Sequence, residues 1–457
     1  MSSVDASASK ATRIQIFSFS TPAMRAFHLS WLAFFVCFFA WFSLAPLMPV
    51  IKSEFHLSKG QIANINIAAV GITILVRLIV GPLSDKYGPR RTYVALLILG
   101  AIPVVGISLA HSYESFLICR LLIGGVGASF VITQYHTSVM FAPNVVGTAN
   151  AASAGWGNSG GGVTQSVMPW VLAGVIGLGV GQSLGWRLCM LLPGALMLLV
   201  AVLYWKFTQD CPQGNYGALR AQGIEISGGK KGGWQVFKSA MKNYRVWMLF
   251  VTYGCCFGVE LFVHNVAASY YVDRYKLSLQ AAGMAAGSFG LLALFARAVG
   301  GLLSDRFART RGLDARTRLL FVLMIGEGVG LLWFSTTGTA AAAVVAMITF
   351  GLFTHMACGA TYALVPFIDR KSLGGVAGIV GAGGNVGAVL AGFLLKAVGS
   401  VQGCFSTLGI IVLGASACAV AVRFSLAHKA TEQQLYEAAV RERESLMSTG
   451  AQPLATS

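Results

Sequence analysis

An all-α membrane protein of twelve transmembrane helices in two parallel six-helix repeats is the fold class that this sequence predicts. Three observations carry the expectation: a dozen apolar stretches, a long motif that recurs at a fixed offset, and basic residues clustered in alternate loops. The 457 residues are 56% hydrophobic and only 11% charged, whereas soluble chains carry about 25% charge. A bilayer core needs roughly 20 apolar residues per helix.

The expected spans of the first half lie at 27–51, 62–84, 92–110, 114–141, 145–175 and 188–208. Those of the second lie at 245–272, 279–304, 318–336, 339–366, 372–396 and 404–427. This divides the chain into an N-terminal segment (1–26), a six-helix bundle (27–208), a Gly- and Lys-rich linker (209–244), a second bundle (245–427) and a tail (428–457). The tail opens on a short helical pattern, TEQQLYEAAVRERESL. Residues 1–26 contain no apolar core of a cleavable signal, so the first span is the expected insertion signal.

The net charge of +17 does not predict a nucleic-acid partner, because the basic residues form no single patch with interleaved aromatics. About 24 of the 33 Lys and Arg fall in loops on one side, which predicts cytoplasmic N- and C-termini. Lys230, Lys231, Lys238 and Lys242 lie in the linker, and Arg306, Arg309, Arg311, Arg316 and Arg318 follow the eighth span. Nine cysteines are scattered through apolar runs without metal-ligand spacing, so neither a metal nor a disulfide framework is expected. There is no phosphate-binding loop or nucleophile–base pair outside the spans. The composition therefore points away from an enzyme and from any cofactor.

The repeat fixes the topology. RLIVGPLSDKY begins at Arg77 and RAVGGLLSDRF at Arg297, an offset of 297 − 77 = 220. Corresponding loops then lie on the same side, with a substrate expected at the interface of the halves near mid-depth. Each Arg precedes the Asp of its motif (Asp85, Asp305) by eight residues, which puts its Cα roughly 12 Å into the bilayer at about 1.5 Å per residue. A cation there costs about 2.5 to 3.5 kcal/mol on insertion scales, so a functional role is the default. Neither helix supplies an obvious acidic neighbour, and guanidinium matches oxyanions with paired planar donors. The alternative is that each arginine serves a buried carboxylate or carbonyl. Arg120, in another apolar run, has no counterpart at the repeat offset and reads as a residue that either snorkels or braces the bundle.

Two glycine-rich spans add a second signal: AGWGNSGGGVTQ (Ala154–Gln165) and GIVGAGGNVGAVLAG (Gly378–Gly392). Glycine runs allow close helix contact in membranes. Here each carries a Gly–Asn pair, Gly157 with Asn158 and Gly384 with Asn385, which sets an amide beside bare backbone in corresponding spans.

The Gly-x-x-Ser-Asp-[KR]-[YF] loops resemble the signature loop of the major facilitator superfamily. That resemblance implies the twelve-helix fold and a gating role for Asp85 and Asp305. The glycine-rich pair resembles the nitrate signatures of the nitrate/nitrite porter family. FSFSTPAMRAFHLSW (Phe17–Trp31), YGCCFGVEL (Tyr253–Leu261) and ACGATYALVPF (Ala357–Phe367) look like the high-affinity nitrate transporters of plants and green algae. By that likeness Arg77, Arg297, Asn158, Asn385 and Tyr253, with Gly157 and Gly384, would bind nitrate or nitrite. It further implies a plasma-membrane location, proton symport and a single-span accessory subunit. The chain departs from the family pattern at His136, at Glu327 and in the loop FARTRG, a degenerate copy of KYGPRR.

Nitrate is ionised at physiological pH, and an inside-negative membrane opposes its entry by about 2.3 kcal/mol per 100 mV. Among the few protonatable groups inside spans, Glu260 follows Tyr253 by two helical turns and shares its side. It is the candidate for proton coupling, ahead of His136, His264 and Glu327, and the alternative for it is a structural ion pair with an arginine. Two other functions stay open on the sequence: a nitrate/nitrite exchanger and a membrane nitrate receptor.

Overall fold

A computed structural model describes residues 10–142, 145–224, 233–369, 373–431 and 434. Lys230 and Lys231 and nearly all of the expected tail helix lie outside the described residues. Twelve long helical segments follow one another: α1 (Pro22–Glu54), α2 (Lys59–Tyr87), α3 (Pro89–Leu109), α4 (Tyr113–Met140), α5 (Val146–Gly177), α6 (Gln182–Phe207), α7 (Tyr244–Tyr275), α8 (Leu279–Ala308), α9 (Asp314–Thr336), α10 (Ala340–Phe367), α11 (Gly375–Val398) and α12 (Val401–Ala421). Eleven of them are long and apolar enough to cross a membrane. The remaining one, α5, has 32 residues, but its glycines and polar side chains dilute its apolarity. Short helices at Tyr216–Ala221 and Gly233–Lys242 occupy the connection between the halves.

The ends are set by ordinary capping. Ser58 and Gln61 form a capping box at the start of α2, and Ser112 and Ser115 do so for α4, satisfying N–H groups that have no partner within the helix. Gly88 (φ 90°) turns the chain between α2 and α3, and Gly312 (φ 75°) does the same between α8 and α9. Both need the left-handed region that glycine enters without steric cost. The loop that reads as a degenerate copy in sequence thus keeps its glycine turn. Asp210 ties the connection to the first half by accepting the backbone N–H of Arg90 and of Tyr216, each at 2.9 Å.

The packing repeats with the duplication. In the first half α5 lies against α1, and in the second α11 lies against α7. Each of these glycine-rich helices also crosses to the other half, α5 onto α8 and α11 onto α2. The reason is side-chain size. A Cβ on Gly162 would overlap the backbone of Gly290 and Leu291, and one on Gly387 would overlap that of Gly254. The glycine signatures therefore sit where backbones touch.

Polar ties join the halves in the part of the bundle away from the termini. Lys52 on α1 pairs with Asp273 on α7 at 3.0 Å. Lys396 on α11 donates to Asn64 on α2 at 3.2 Å. Deeper in, Gln165 on α5 donates to the His264 carbonyl at 2.5 Å, and Arg120 on α4 donates to Asn265 at 2.7 Å. The bundle is closed at that face.

Candidate functional site

Local breaks in the helices create the site. α4 tightens into a 3-10 turn at Gly124–Ala128, and α8 does so at Leu292–Leu294. Such turns release carbonyls from the regular ladder, and lipid supplies no water to satisfy them. Side chains do so instead. Thr73 donates to Gly124 O at 2.6 Å, and Arg77 donates to Gly127 O at 3.3 Å. Arg77 reaches Gly381 O on α11 with its other terminal nitrogen, also at 3.3 Å, while its Nε is buried with no partner. Among the described residues no carboxylate pairs with it.

Arg297 differs. Its Nη2 lies 2.5 Å from Glu260 Oε2, the arginine side chain being 10% exposed and the glutamate fully buried. The alternative raised for the midplane arginines is met at both positions, since Arg77 serves two carbonyls and Arg297 a carboxylate, and only Arg77 is free of carboxylates among the described residues. The reason is tertiary: Glu260 is 37 residues away on α7, so no spacing within α8 could reveal it. Glu260 Oε1 and Arg297 Nε remain without partners. A buried pair satisfied on one side only is poised to exchange partners, because stranding either charge in low dielectric is costly.

Aromatic rings hold both guanidiniums. Arg77 lies over Phe130 at 5.7 Å, and Arg297 lies over Phe257 at 5.3 Å, within cation–π range. Tyr253 stacks on Phe257 at 5.2 Å and meets Tyr362 edge-on at 5.0 Å. Phe130 and Tyr362 approach across the halves at 6.3 Å. Tyr362 interacts electrostatically with both arginines, so the two cations converge on one phenol.

The signature glycines serve these rings. A Cβ on Gly157 would strike the ring of Phe34, and one on Gly384 would strike that of Phe257. Phe34 touches Phe130 at 5.7 Å, so each glycine seats a ring that bears on an arginine, directly or through one neighbour. Asn158 is buried with both side-chain polar atoms unpaired, and Asn385 keeps an unpaired Oδ1 while its amide donates to Gly381 O at 3.4 Å. Unsatisfied buried amides of this kind are costly without a ligand or water.

The other expected residues are placed as follows. Asp305 pairs with Arg316 at 2.6 Å within the second half. Asp85 faces Tyr135, whose hydroxyl meets that of Tyr216 at 3.1 Å. His136 is fully engaged, with Tyr204 at 2.5 Å and Gln209 O at 2.8 Å, which removes it from the coupling candidates. His264 and Glu327 are buried, and both polar atoms of each lack hydrogen bonds. Arg120 is only 2% exposed and braces α4 against α1 and α7, the second of the two readings open in the sequence. All nine cysteines are free, and no metal-ligand cluster occurs among the described residues. Sequence reasoning missed Phe130, Phe257 and Tyr362, although Phe257 lies within the motif YGCCFGVEL and Tyr362 within ACGATYALVPF.

A family model described as Major Facilitator Superfamily matches residues 30–370. High affinity nitrate transporter 2.5 of Arabidopsis thaliana is 40% identical over 83% of this chain and 75% of its own length. Nitrate transporter 2.2 of Chlamydomonas reinhardtii is 38% identical over 83% and 74%. The nitrate/nitrite transporter NrtP of Nostoc punctiforme is 29% identical over 87% and 92%. Among solved structures, a bacterial homolog of the human lysosomal transporter Spinster, inward-facing and unoccupied, superposes with a TM-score of 0.68 at 14% identity, over 89% of this chain and 99% of that one. A D-xylose–proton symporter gives 0.66 at 14% identity over 87% and 97%. At such identities these two share the fold alone.

Proposed function

This chain belongs to the major facilitator superfamily and, within it, to the high-affinity nitrate transporters, and from that premise we propose that it imports nitrate by proton symport with alternating access. It is a transporter and not an enzyme. The anion is held between Arg77 and Arg297, with Asn158, Asn385 and Tyr253 completing the contacts. The observation that carries the reading is the convergence of two interior guanidiniums on Tyr362, one of them with no carboxylate. Such a centre has an unmet need for negative charge, and a planar oxyanion suits paired guanidinium donors.

Alternating access follows from the same charges. Two facing cations resist approach in low dielectric, and one bound anion removes that resistance so that the halves can close around it. The basic loops orient the termini to the cytoplasm, so the closed face is the outer one. Asp85 and Asp305 would act at the cytoplasmic gate when the bundle closes there. Nitrite is the proposed second substrate by likeness to NrtP, and the plasma membrane and a single-span partner subunit are proposed from the resemblance read in the sequence.

The test is nitrate-evoked current under voltage clamp at acidic and neutral outside pH, with Arg297→Ala as control. Inward positive current that grows with acidity and vanishes in the variant supports symport of more than one proton per nitrate. Exchange of labelled nitrate against internal nitrite without current replaces this reading with the exchanger. Binding without flux replaces it with the receptor.

A further inference from the structure

Resting on the symport reading, we infer that His355 on α10 is the group that takes the coupled proton, sharing it with Glu260 when cargo claims Arg297. His355 Nε2 lies 3.1 Å from the Phe289 carbonyl, beside the break in α8. A carbonyl only accepts, so Nε2 carries the ring's proton. Nδ1 of the same ring then presents a lone pair, and it lies 3.3 Å from Glu260 Oε2. Both side chains are fully buried, and Nδ1 makes no hydrogen bond. Two acceptors face each other across a gap that one proton would fill.

The surrounding charges decide when it is filled. From α8, Arg297 holds Glu260 Oε2 at 2.5 Å, and from α10 Cys358 donates to the same oxygen at 3.8 Å. On α7, His264 stands one turn beyond Glu260 and interacts with both Glu260 and His355. On α9, Glu327 interacts electrostatically with Glu260. With the site empty, Arg297 neutralises Glu260 and His355 stays neutral. An arriving anion competes for Arg297, and Glu260 loses its counter-charge. A proton entering at Nδ1 makes an imidazolium that pairs with the carboxylate and leaves both arginines to the cargo. This site loads one of the coupled protons with each anion, and releasing the anion returns Arg297 to Glu260 and expels that proton.

Proteoliposomes separate the two roles. The wild type is compared with His355→Gln, whose amide can still donate to Phe289 O but cannot bind the proton. Accumulation of labelled nitrate under an imposed pH gradient should fall tenfold or more, nitrate-evoked proton entry should vanish, and the pH profile of uptake should flatten. Exchange of labelled for unlabelled nitrate without a gradient should stay within threefold. If His355→Gln keeps wild-type drive and profile, the inference is overturned while symport stands. If the wild type itself shows no proton drive, symport falls and takes this inference with it. Loss of exchange together with drive in both the Gln and Asn variants overturns it as well, assigning His355 to packing.

Discussion

Arg120 Nη2 donates to Asn265 Oδ1 at 2.7 Å, joining α4 of the first half to α7 of the second. The Asn265 amide is fixed in turn by the Leu261 carbonyl at 2.9 Å, and Arg120 Nη1 takes the Trp41 carbonyl at 2.5 Å. No carboxylate is paired with this buried cation among the described residues, so each acceptor matters. A hydrogen bond to a charged group contributes about 1.5–3 kcal/mol. Asn265→Ala should therefore loosen the outer closure. The pair Lys52→Cys and Asp273→Cys, at the outer rim of the same interface, should be joined by a short reducible bis-thiol cross-linker that spans the lost lysine stem and blocks uptake until it is cleaved. Adding Asn265→Ala should slow that cross-linking by roughly tenfold, the factor that corresponds to about 1.4 kcal/mol. An unchanged rate would deny Asn265 a part in the closure.

Arg77→Lys and Arg297→Lys should each lower nitrate uptake by about tenfold or more, because an ammonium keeps the charge but not the planar fork or the ring stacking. Labelled uptake at subsaturating nitrate is the readout. Near-normal uptake in either variant counts heavily against the clamp.

Glu260→Gln removes the internal competitor for Arg297. Nitrate should bind the purified variant more tightly than the wild type, while proton-driven uptake is lost. Glu260→Ala should in addition cost about 3–5 kcal/mol of stability in the absence of anion, since it strands a buried guanidinium. Thermal unfolding with and without nitrate distinguishes the two variants. Proton-driven uptake that survives in Glu260→Gln would remove the carboxylate from coupling.

Gly157→Ala and Gly384→Ala should displace Phe34 and Phe257 respectively. Overpacking of this kind costs about 1–3 kcal/mol, and the displaced rings bear on the arginines. Both variants should show lower Tm and impaired uptake, whereas Gly414→Ala, which faces open space, should show neither. Equal behaviour of all three would reduce the signature glycines to generic packing.

Much of this arrangement is legible in the sequence because it is periodic or duplicated. Apolar length marks the spans, the offset between Arg77 and Arg297 gives the topology, and the paired Gly–Asn signatures fall where the halves and the rings meet. What was hidden depends on contacts between helices distant in sequence. Glu260 could be nominated from its spacing to Tyr253, and an ion pair with an arginine could be weighed for it, but which arginine could not be read. His355 sits in an apolar run of α10, where nothing nearby distinguishes it from filler, and the motif that contains Tyr362 gives no sign that its ring faces the arginines. Two of the carbonyls that hold Arg77 and His355, those of Gly127 and Phe289, lie at or beside local helix breaks, and a break of one turn leaves little trace in composition.

The correspondence between Phe34 and Phe257 sets an offset of 257 − 34 = 223 between α1 and α7. By that offset the first-half counterpart of Glu260 is Cys37, since 260 − 223 = 37, and Cys37 is a buried thiol. The duplicated gene has thus become a pair of specialists, with the counter-charge vested in one member only. A chain rebuilt from two copies of its own first half would own two uncountered arginines and no internal rival for the anion. It would hold its cargo and have nothing to make it let go.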